Sequence, residues 1–360
     1  MKQTVIFFCV LGLFIQIISC SKSDPKPNPV VPPVAPIDST VVPKDTTEDV
    51  YIVGQTPTQA GYWKNSRFVP LATRATGRNT YADDMAFSGN DIYVLGTEND
   101  SNGYWKNGQF NFLAKYDSLL ATSIVVSGTD VYCLLSSAFP NRPGSLFKNT
   151  SLMSRVPTHN EPFWTSLYSN GSDLYIPGSV STFPDNAVYW KNGLVVPLPN
   201  TSIPGNVYGI ALDGNDVYAV GSESYVLPDS TIGSNLGTYW KNNVPFYLTD
   251  STSNGKILFV TALNSNVCMA GFHIAGNPVQ HTGPQTVFVW KNGVTINVTP
   301  AGYSDDVWGL AINGSDVYVS VISTPTGTTT EIPRYYKNGV PVNYTATTQG
   351  SGTRIFVRPR

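Results

Sequence analysis

Charge is scarce in this chain of 360 residues: Asp, Glu, Lys and Arg make up 13% of it and leave a net charge of −2. A near-neutral total without a basic stripe excludes the electrostatic footprint of a nucleic-acid binder. Histidine is rarer still. There are three, none at metal-ligand spacing, so neither a zinc site nor another metal or cofactor is expected. Glutamate occurs five times and in no supporting motif, which leaves little for the carboxyl pair about 5 Å apart that a retaining glycosidase needs. No long amphipathic helical pattern follows residue 20. What remains abundant is Gly, Pro, Asn, Ser and Thr, with 20 Tyr and 7 Trp, the profile of a loop-rich all-β protein.

Four cysteines are present, and two of them fall in the N-terminal segment. After Lys2 an apolar run from Thr4 to Ile18 is broken only by Gln16, as long as a signal-peptide core and short for spanning a bilayer. It ends in Ile17-Ile18-Ser19-Cys20, which resembles the lipobox of bacterial lipoproteins. That resemblance implies a signal peptide over 1–19, cleavage before Cys20 and lipidation of Cys20, and Ser21 behind it implies the outer membrane, on its periplasmic or external side. Residues 20–49 carry the lipidated Cys and a tether with seven prolines between 21 and 49, a semi-rigid polyproline-type spacer. The other two cysteines, Cys133 and Cys268, lie in strand patterns of well-separated repeats and are expected as buried free thiols.

Residues 50–360 repeat themselves. Tyr62-Trp63-Lys64-Asn65 returns as Tyr104-Trp105-Lys106-Asn107, Leu146-Phe147-Lys148-Asn149, Tyr189-Trp190-Lys191-Asn192, Tyr239-Trp240-Lys241-Asn242, Val289-Trp290-Lys291-Asn292 and Tyr335-Tyr336-Lys337-Asn338. A second motif, seen as "EDVYIVG" from Glu48 and "NDVYAVG" from Asn215, keeps step ahead of it. A period near 45 residues with four short strands per unit predicts a seven-bladed β-propeller. Asn-Gly and Gly-Asn pairs punctuate the first and last hairpin of each unit, since these residues accept positive φ. The first copy lacks its opening strand, and the chain ends in "GTRIFVRPR", which matches one. Thr353–Val357 is therefore expected to complete the first blade and shut the ring, removing two raw sheet edges. The seven lysines and the aspartates Asp91, Asp130, Asp173, Asp216 and Asp316 read as turn-side residues far from the axis, unable to converge on one ligand.

If the first and last hairpins are tight on one face, the variable connections share the other. Recognition on a rigid scaffold belongs with such variable loops, and the fifth ("SESYVLPDSTIGSNL") and sixth ("FHIAGNPVQHTGPQ") read as the long ones. Candidates for that face are Arg78, Asp83, Asp84, His159, Glu161, Trp164, Tyr208, Tyr225, His273, His281, Asp305, Asp306, Trp308 and Arg354. Asp83-Asp84 and Asp305-Asp306 can pair for acid chemistry; Trp164, Tyr208 and Trp308 also suit packing between blades. Neither a Gly-rich phosphate loop nor a Gly-x-Ser-x-Gly elbow occurs, nor a sialidase Asp-box, a Gly-His/Trp-Asp repeat or a kelch double glycine. Asp-Ser/Thr triplets at Asp38, Asp45, Asp117, Asp229 and Asp250 resemble the O-glycosylation acceptor of Bacteroidota secreted proteins.

The "DVYVxG…YWKNG" unit over residues 50–358 resembles the repeats of propeller lipoproteins from Bacteroidota, and more faintly the extracellular HAF repeat. The resemblance implies fold and location and lends no activity. The resulting expectation is a monomeric, lipid-anchored binding or scaffold protein that recognises a protein or glycan through its long-loop face. The alternative is a glycan-active hydrolase or lyase with its acids at the axial mouth.

Overall fold

The structure, a computed structural model, describes residues 47–72, 80–115, 119–137, 143–156, 166–180, 186–199, 204–226, 232–250, 253–275, 283–342 and 352–360. Residues 1–46, with Cys20 and most of the tether, lie outside that set. The described chain forms seven four-stranded antiparallel sheets arranged in a ring, a seven-bladed β-propeller. We number the blades 1–7 and letter their strands a to d from the axis outward. Blade 2 is typical: a is Tyr81–Ser88, b is Asp91–Glu98, c is Ser101–Lys106 and d is Gln109–Lys115. Inner strands of successive blades touch around the axis.

Each c–d connection is a two-residue turn opened by an Asn at positive φ, as in Asn107 (49°) followed by Gly108 (85°). The a–b turns behave alike, with Gly89, Gly128, Gly214 and Gly314 near 53–60°. This left-handed backbone is what Asn and Gly supply at low strain. Behind each c–d turn sits a polar clip. In six blades the repeat lysine meets the aspartate that opens strand b at 2.7–2.9 Å, through Lys64–Asp49, Lys106–Asp91, Lys148–Asp130, Lys191–Asp173, Lys241–Asp216 and Lys337–Asp316. The same ammonium stands 5.2–5.7 Å from the ring of the strand-b tyrosine. The turn Asn then accepts the N–H of the residue after the aspartate, as from Ile92 to Asn107 at 2.9 Å. Blade 6 carries Asn266 and Cys268 where the others have Asp and Tyr, and there Lys291 turns to the Ser315 carbonyl of blade 7 instead.

Seven apolar clusters fill the spaces between blades. Each contains the first residue of one blade's Tyr-Trp-Lys-Asn motif and the second residue of the next blade's. Tyr62 packs with Trp105, Tyr104 with Phe147, Leu146 with Trp190, Tyr189 with Trp240, Tyr239 with Trp290, Val289 with Tyr336, and Tyr335 with Trp63. Large aromatics dominate because one ring spans much of the gap between twisted sheets. Cys133 and Cys268 are buried free thiols. Burial pushes the Cys133 thiol well up and that of Cys268 to about 11.

The C-terminal strand closes the ring. Gly352–Pro359 is strand a of blade 1, antiparallel to Glu48–Gln55 with Phe356 opposite Tyr51 and Ile355 opposite Ile52. Both strands run beyond the expected bounds, and Glu48 and Asp49 belong to the propeller rather than to the tether. The seam is also held by polar groups. Glu48 accepts from Asn313 at 2.8 Å, from Lys337 at 2.9 Å and from the Tyr318 hydroxyl, all on blade 7. Arg360 binds Asp49 at 2.7 Å, and Arg358 donates to the Gly89 carbonyl of blade 2. Gly309 of blade 7 explains the close approach of the last strand: a Cβ there would meet the Ile355 amide nitrogen at 2.7 Å.

The variable face differs from expectation in one respect. In blades 5 and 6 much of what reads as loop is lengthened hairpin. Glu223–Val226 pairs with Ile232–Leu236, and Phe272–Ile274 pairs with Gln285–Val287. These arms lengthen strands b and c of the two blades. Blade 2 shows the reverse, a tight b–c turn at Asn99-Asp100 with φ of 50° and 61°.

Candidate functional site

Every inner strand but the two-residue one of blade 4 departs from regular pairing at one level near the variable face. The inserted residue is Asp83 in blade 2, Thr122 in blade 3, Tyr208 in blade 5, Leu258 in blade 6 and Trp308 in blade 7, and Thr353-Arg354 occupies that level in blade 1. A β-bulge turns the strand and re-aims the side chains on either side of it. Repeated round the ring, it creates a collar at the mouth of the axial channel.

A chain of contacts runs along that collar. Arg354 of blade 1 reaches Asp84 of blade 2 at 3.8 Å. Asp84 Oδ2 accepts the Ile124 N–H of blade 3 at 2.8 Å. Ser123 Oγ beside it accepts the Leu167 N–H of blade 4 at 3.0 Å, and Ser166 donates its N–H to the Tyr208 carbonyl of blade 5 at 3.3 Å. Across the axis the Arg354 guanidinium lies 5.8 Å from the Phe259 ring of blade 6. Below the collar the channel opens into two adjoining cavities of about 300 and 370 Å³, walled largely by apolar inner-strand residues such as Phe87, Leu167 and Phe356. Arg354 lines both cavities and Asp84 one of them, beside hydroxyls such as Ser166, Ser123 and Thr261, so polar and apolar groups share the bore.

The acids of the collar are perturbed. Burial and the neighbouring Asp84 charge raise the half-buried Asp83 to about 7, with Arg354 acting against them. Asp84 is raised by burial too, opposed by Arg354, the amides of Ile124 and Met85, and the Ser123 hydroxyl. Two adjacent carboxyls facing one arginine share its charge and repel each other, which favours a proton on one of them.

The structure thus brings Asp83, Asp84 and Arg354 together, with Tyr208 and Trp308 on the same collar. Tyr208 is fully buried, its hydroxyl 3.4 Å from Ser222 Oγ and the Lys256 ammonium 5.5 Å from its ring, and it packs between blades. Trp308 is half-buried. Asp305 and Asp306 do not converge. Asp305 is buried between blades 6 and 7 and accepts from Tyr336 at 3.0 Å, while Asp306 is exposed and accepts from Gln285 at 2.9 Å. Burial raises both carboxyls. Tyr225 and His273 lie on the hairpin arms, His273 stacked on Phe288 at 6.3 Å and lowered by burial. Arg78, His159, Glu161, Trp164 and His281 lie outside the described residues, as does Cys20. Sequence reasoning missed Ser123, Phe259 and Tyr81, an exposed ring at the head of the blade 2 inner strand. Ser123 and Phe259 follow a bulge residue, a position that becomes visible only once strand pairing is known. Among the described residues no group of three or more His, Cys, Asp or Glu side chains is placed to hold a metal ion.

The chain matches no family model and no curated protein. Solved structures do resemble it. An acylaminoacyl peptidase in complex with Z-Gly-Gly-Phe-chloromethyl ketone superposes with a TM-score of 0.51 at 10% identity, covering 84% of this chain and 51% of that one. The uncomplexed Pyrococcus horikoshii acylaminoacyl peptidase gives 0.50 at 10% identity over 83% and 51%. The β-propeller domain of the Trilobed protease from Pyrococcus furiosus gives 0.49 at 10% identity over 83% and 95%. The chain spans about half the length of the peptidases. At these identities the likeness concerns the propeller fold alone.

Proposed function

We propose that this protein is a lipid-anchored envelope component that binds a glycan at the axial mouth of its variable face. The observation that carries the reading is the collar: an Asp83–Asp84 pair facing Arg354, with Tyr81 at the head of the same blade 2 strand and Trp308 on the inner strand of blade 7. Hydroxyl-rich ligands are held by charged donors and acceptors of this kind, with a ring face for the sugar's apolar side. A protein partner calls for a contiguous apolar patch. On the described part of this face Tyr81 is the one exposed large apolar side chain. The other exposed ones, among them Phe112, Leu152, Leu194 and Val244, belong to outer strands or to the opposite rim. The anchor rests on the Ile17-Ile18-Ser19-Cys20 sequence, and a Cys20→Ser chain that leaves the membrane fraction supports it.

A glycan array probed with the protein from residue 46 onward, beside a pull-down from envelope extract, tests the binding. Arg354→Ala should reduce glycan binding at least tenfold. Blank results from both experiments, or unchanged binding by the variant, overturn the proposal. A second reading has one observation in its favour. A carboxyl raised to about 7, as at Asp83, is poised for general-acid work. Turnover of a bound glycan that Asp83→Asn abolishes without loss of binding would make the protein a glycan-active enzyme.

A further inference from the structure

On the opposite face, between blades 3 and 4, the wall of the propeller is open. A cleft of about 630 Å³ lies there, lined by Tyr132, Leu146, Met153, Val156, Ile176 and Trp190, with polar groups of Arg155 and Asn192 at its edge. It is remote from the collar, and its origin is visible in the repeat. Five blades keep both tyrosines, blade 5 as Tyr218 and Tyr239, and in blades 1, 2, 4 and 7 the strand-b ring and the strand-c ring lie side by side, with centroids 6.0 Å apart for Tyr51–Tyr62, 6.2 Å for Tyr93–Tyr104, 6.2 Å for Tyr175–Tyr189 and 6.4 Å for Tyr318–Tyr335. Blade 3 keeps the first ring, Tyr132, but has Leu146 where the second belongs. Its outer strand also bulges, with Leu146 opposite Ser154 and Phe147 opposite Leu152, so that Met153 is left over and 57% exposed at the lip. A missing ring and a splayed strand together leave the space. Blade 6 provides an internal control. Val289 replaces the same tyrosine there, and a second, smaller cavity of about 190 Å³ lies beside it, partly filled by Ile296 and Val298.

We propose that the blade 3–4 cleft binds a small molecule anchored by a phenol-sized aromatic ring. The ring takes the place the repeat's own tyrosine holds elsewhere, beside Tyr132 and against Trp190, and the polar edge takes its substituent. The volume falls within the 300–1,000 Å³ usual for ligand pockets. Two aromatic residues in the lining, Tyr132 and Trp190, favour a planar ring over a saturated one of equal size.

The probe is p-cresol, the side chain of tyrosine as a free molecule, followed by saturation-transfer NMR at about 1 mM, a concentration suited to a fragment of this size. The wild-type protein should bind it and should bind 4-methylcyclohexanol, its saturated counterpart, at least tenfold more weakly. Leu146→Tyr, which restores the residue of the repeat, should abolish the p-cresol signal, and Val289→Tyr should leave it unchanged. No binding of p-cresol up to about 10 mM, equal binding of the saturated alcohol, or equal binding by a folded Leu146→Tyr protein overturns the proposal. The comparison of the two probes on wild-type protein stands even if the variant fails to fold.

Discussion

Asp83 and Asp49 show how one residue type is driven in opposite directions by its surroundings. An unfolded Asp titrates at about 3.9, whereas folded Asp83 is raised to about 7 by burial and by Asp84. Between those values the folded state holds a proton that the unfolded chain has released. The stabilisation from this site is therefore complete below about pH 4 and is lost as pH rises through about 7. At Asp49 burial acts upward but is outweighed by hydrogen bonds from Lys64, Asn65 and Arg360, which hold the carboxyl well below its usual range. Its stabilisation is present at neutral pH and disappears as pH falls below about 4. The melting temperature should accordingly peak in the mildly acidic range and fall toward pH 8. Asp83→Asn should flatten the alkaline limb and leave the acidic one. A variant whose melting curve from pH 5 to 8 overlays the wild type would show that Asp83 carries no excess proton in the fold.

Among the elements, the closing strand matters most, because it alone joins the two ends of the chain. Its apolar register resembles any other inner strand; what marks the seam is Glu48. Its side chain is 3% exposed as a residue and meets Lys337, Tyr318 and Asn313 of the neighbouring blade. Removing one partner of a buried ion pair is expensive because it strands the other. Glu48→Gln should destabilise the protein by roughly 2–3 kcal/mol and speed hydrogen exchange in Gly352–Pro359 before other strands. Asp91→Asn, which weakens an exposed clip of the same geometry, should leave the melting temperature nearly unchanged. Equal effects of the two would mean that the seam has no special role.

The blade count, the one-plus-three closure and the turn chemistry are legible in the sequence, because a seven-fold repeat reports its own period and Asn-Gly pairs report positive φ. Strand ends are less so. By composition Glu48 and Asp49 close the tether; their pairing with Pro359 and Arg358, and the contacts of Glu48 with blade 7, assign them to the ring. The blade 5 arm reads as loop because Ser224, Gly233, Ser234 and Asn235 suit hairpin extensions as readily as loops; the blade 6 arm is only three residues a side, too short for an alternating pattern to show. Of the candidate site, Asp83, Asp84 and Arg354 were legible as residues but not as a cluster, since they come from the second blade and from the last strand. The departure from the repeat at Leu146 was in plain view. Its consequence was not, because a cavity depends on whether neighbours close over the missing ring, and a bulge one strand further out prevents that here.

Across the whole molecule the two faces are unequal, and the point of attachment follows from the topology. Strand b of blade 1 starts at the tight-turn face, so the chain enters the disc at Thr47 on that side, with the collar on the other. Twenty-six residues separate Cys20 from Thr47, a length that can span at most about 90 Å. If Cys20 carries the lipid, the tether arrives from behind the mouth and is long enough to leave the cleft between blades 3 and 4 clear of the bilayer as well. Anchoring should then leave recognition at the collar untouched. The lipidated protein in phosphatidylethanolamine vesicles and the soluble chain from residue 46 should bind the glycan identified on the array with the same affinity within about threefold, a difference under 1 kcal/mol. A loss of tenfold or more on the vesicle would mean that the mouth faces the membrane, and the site would have to be sought on the turn face instead.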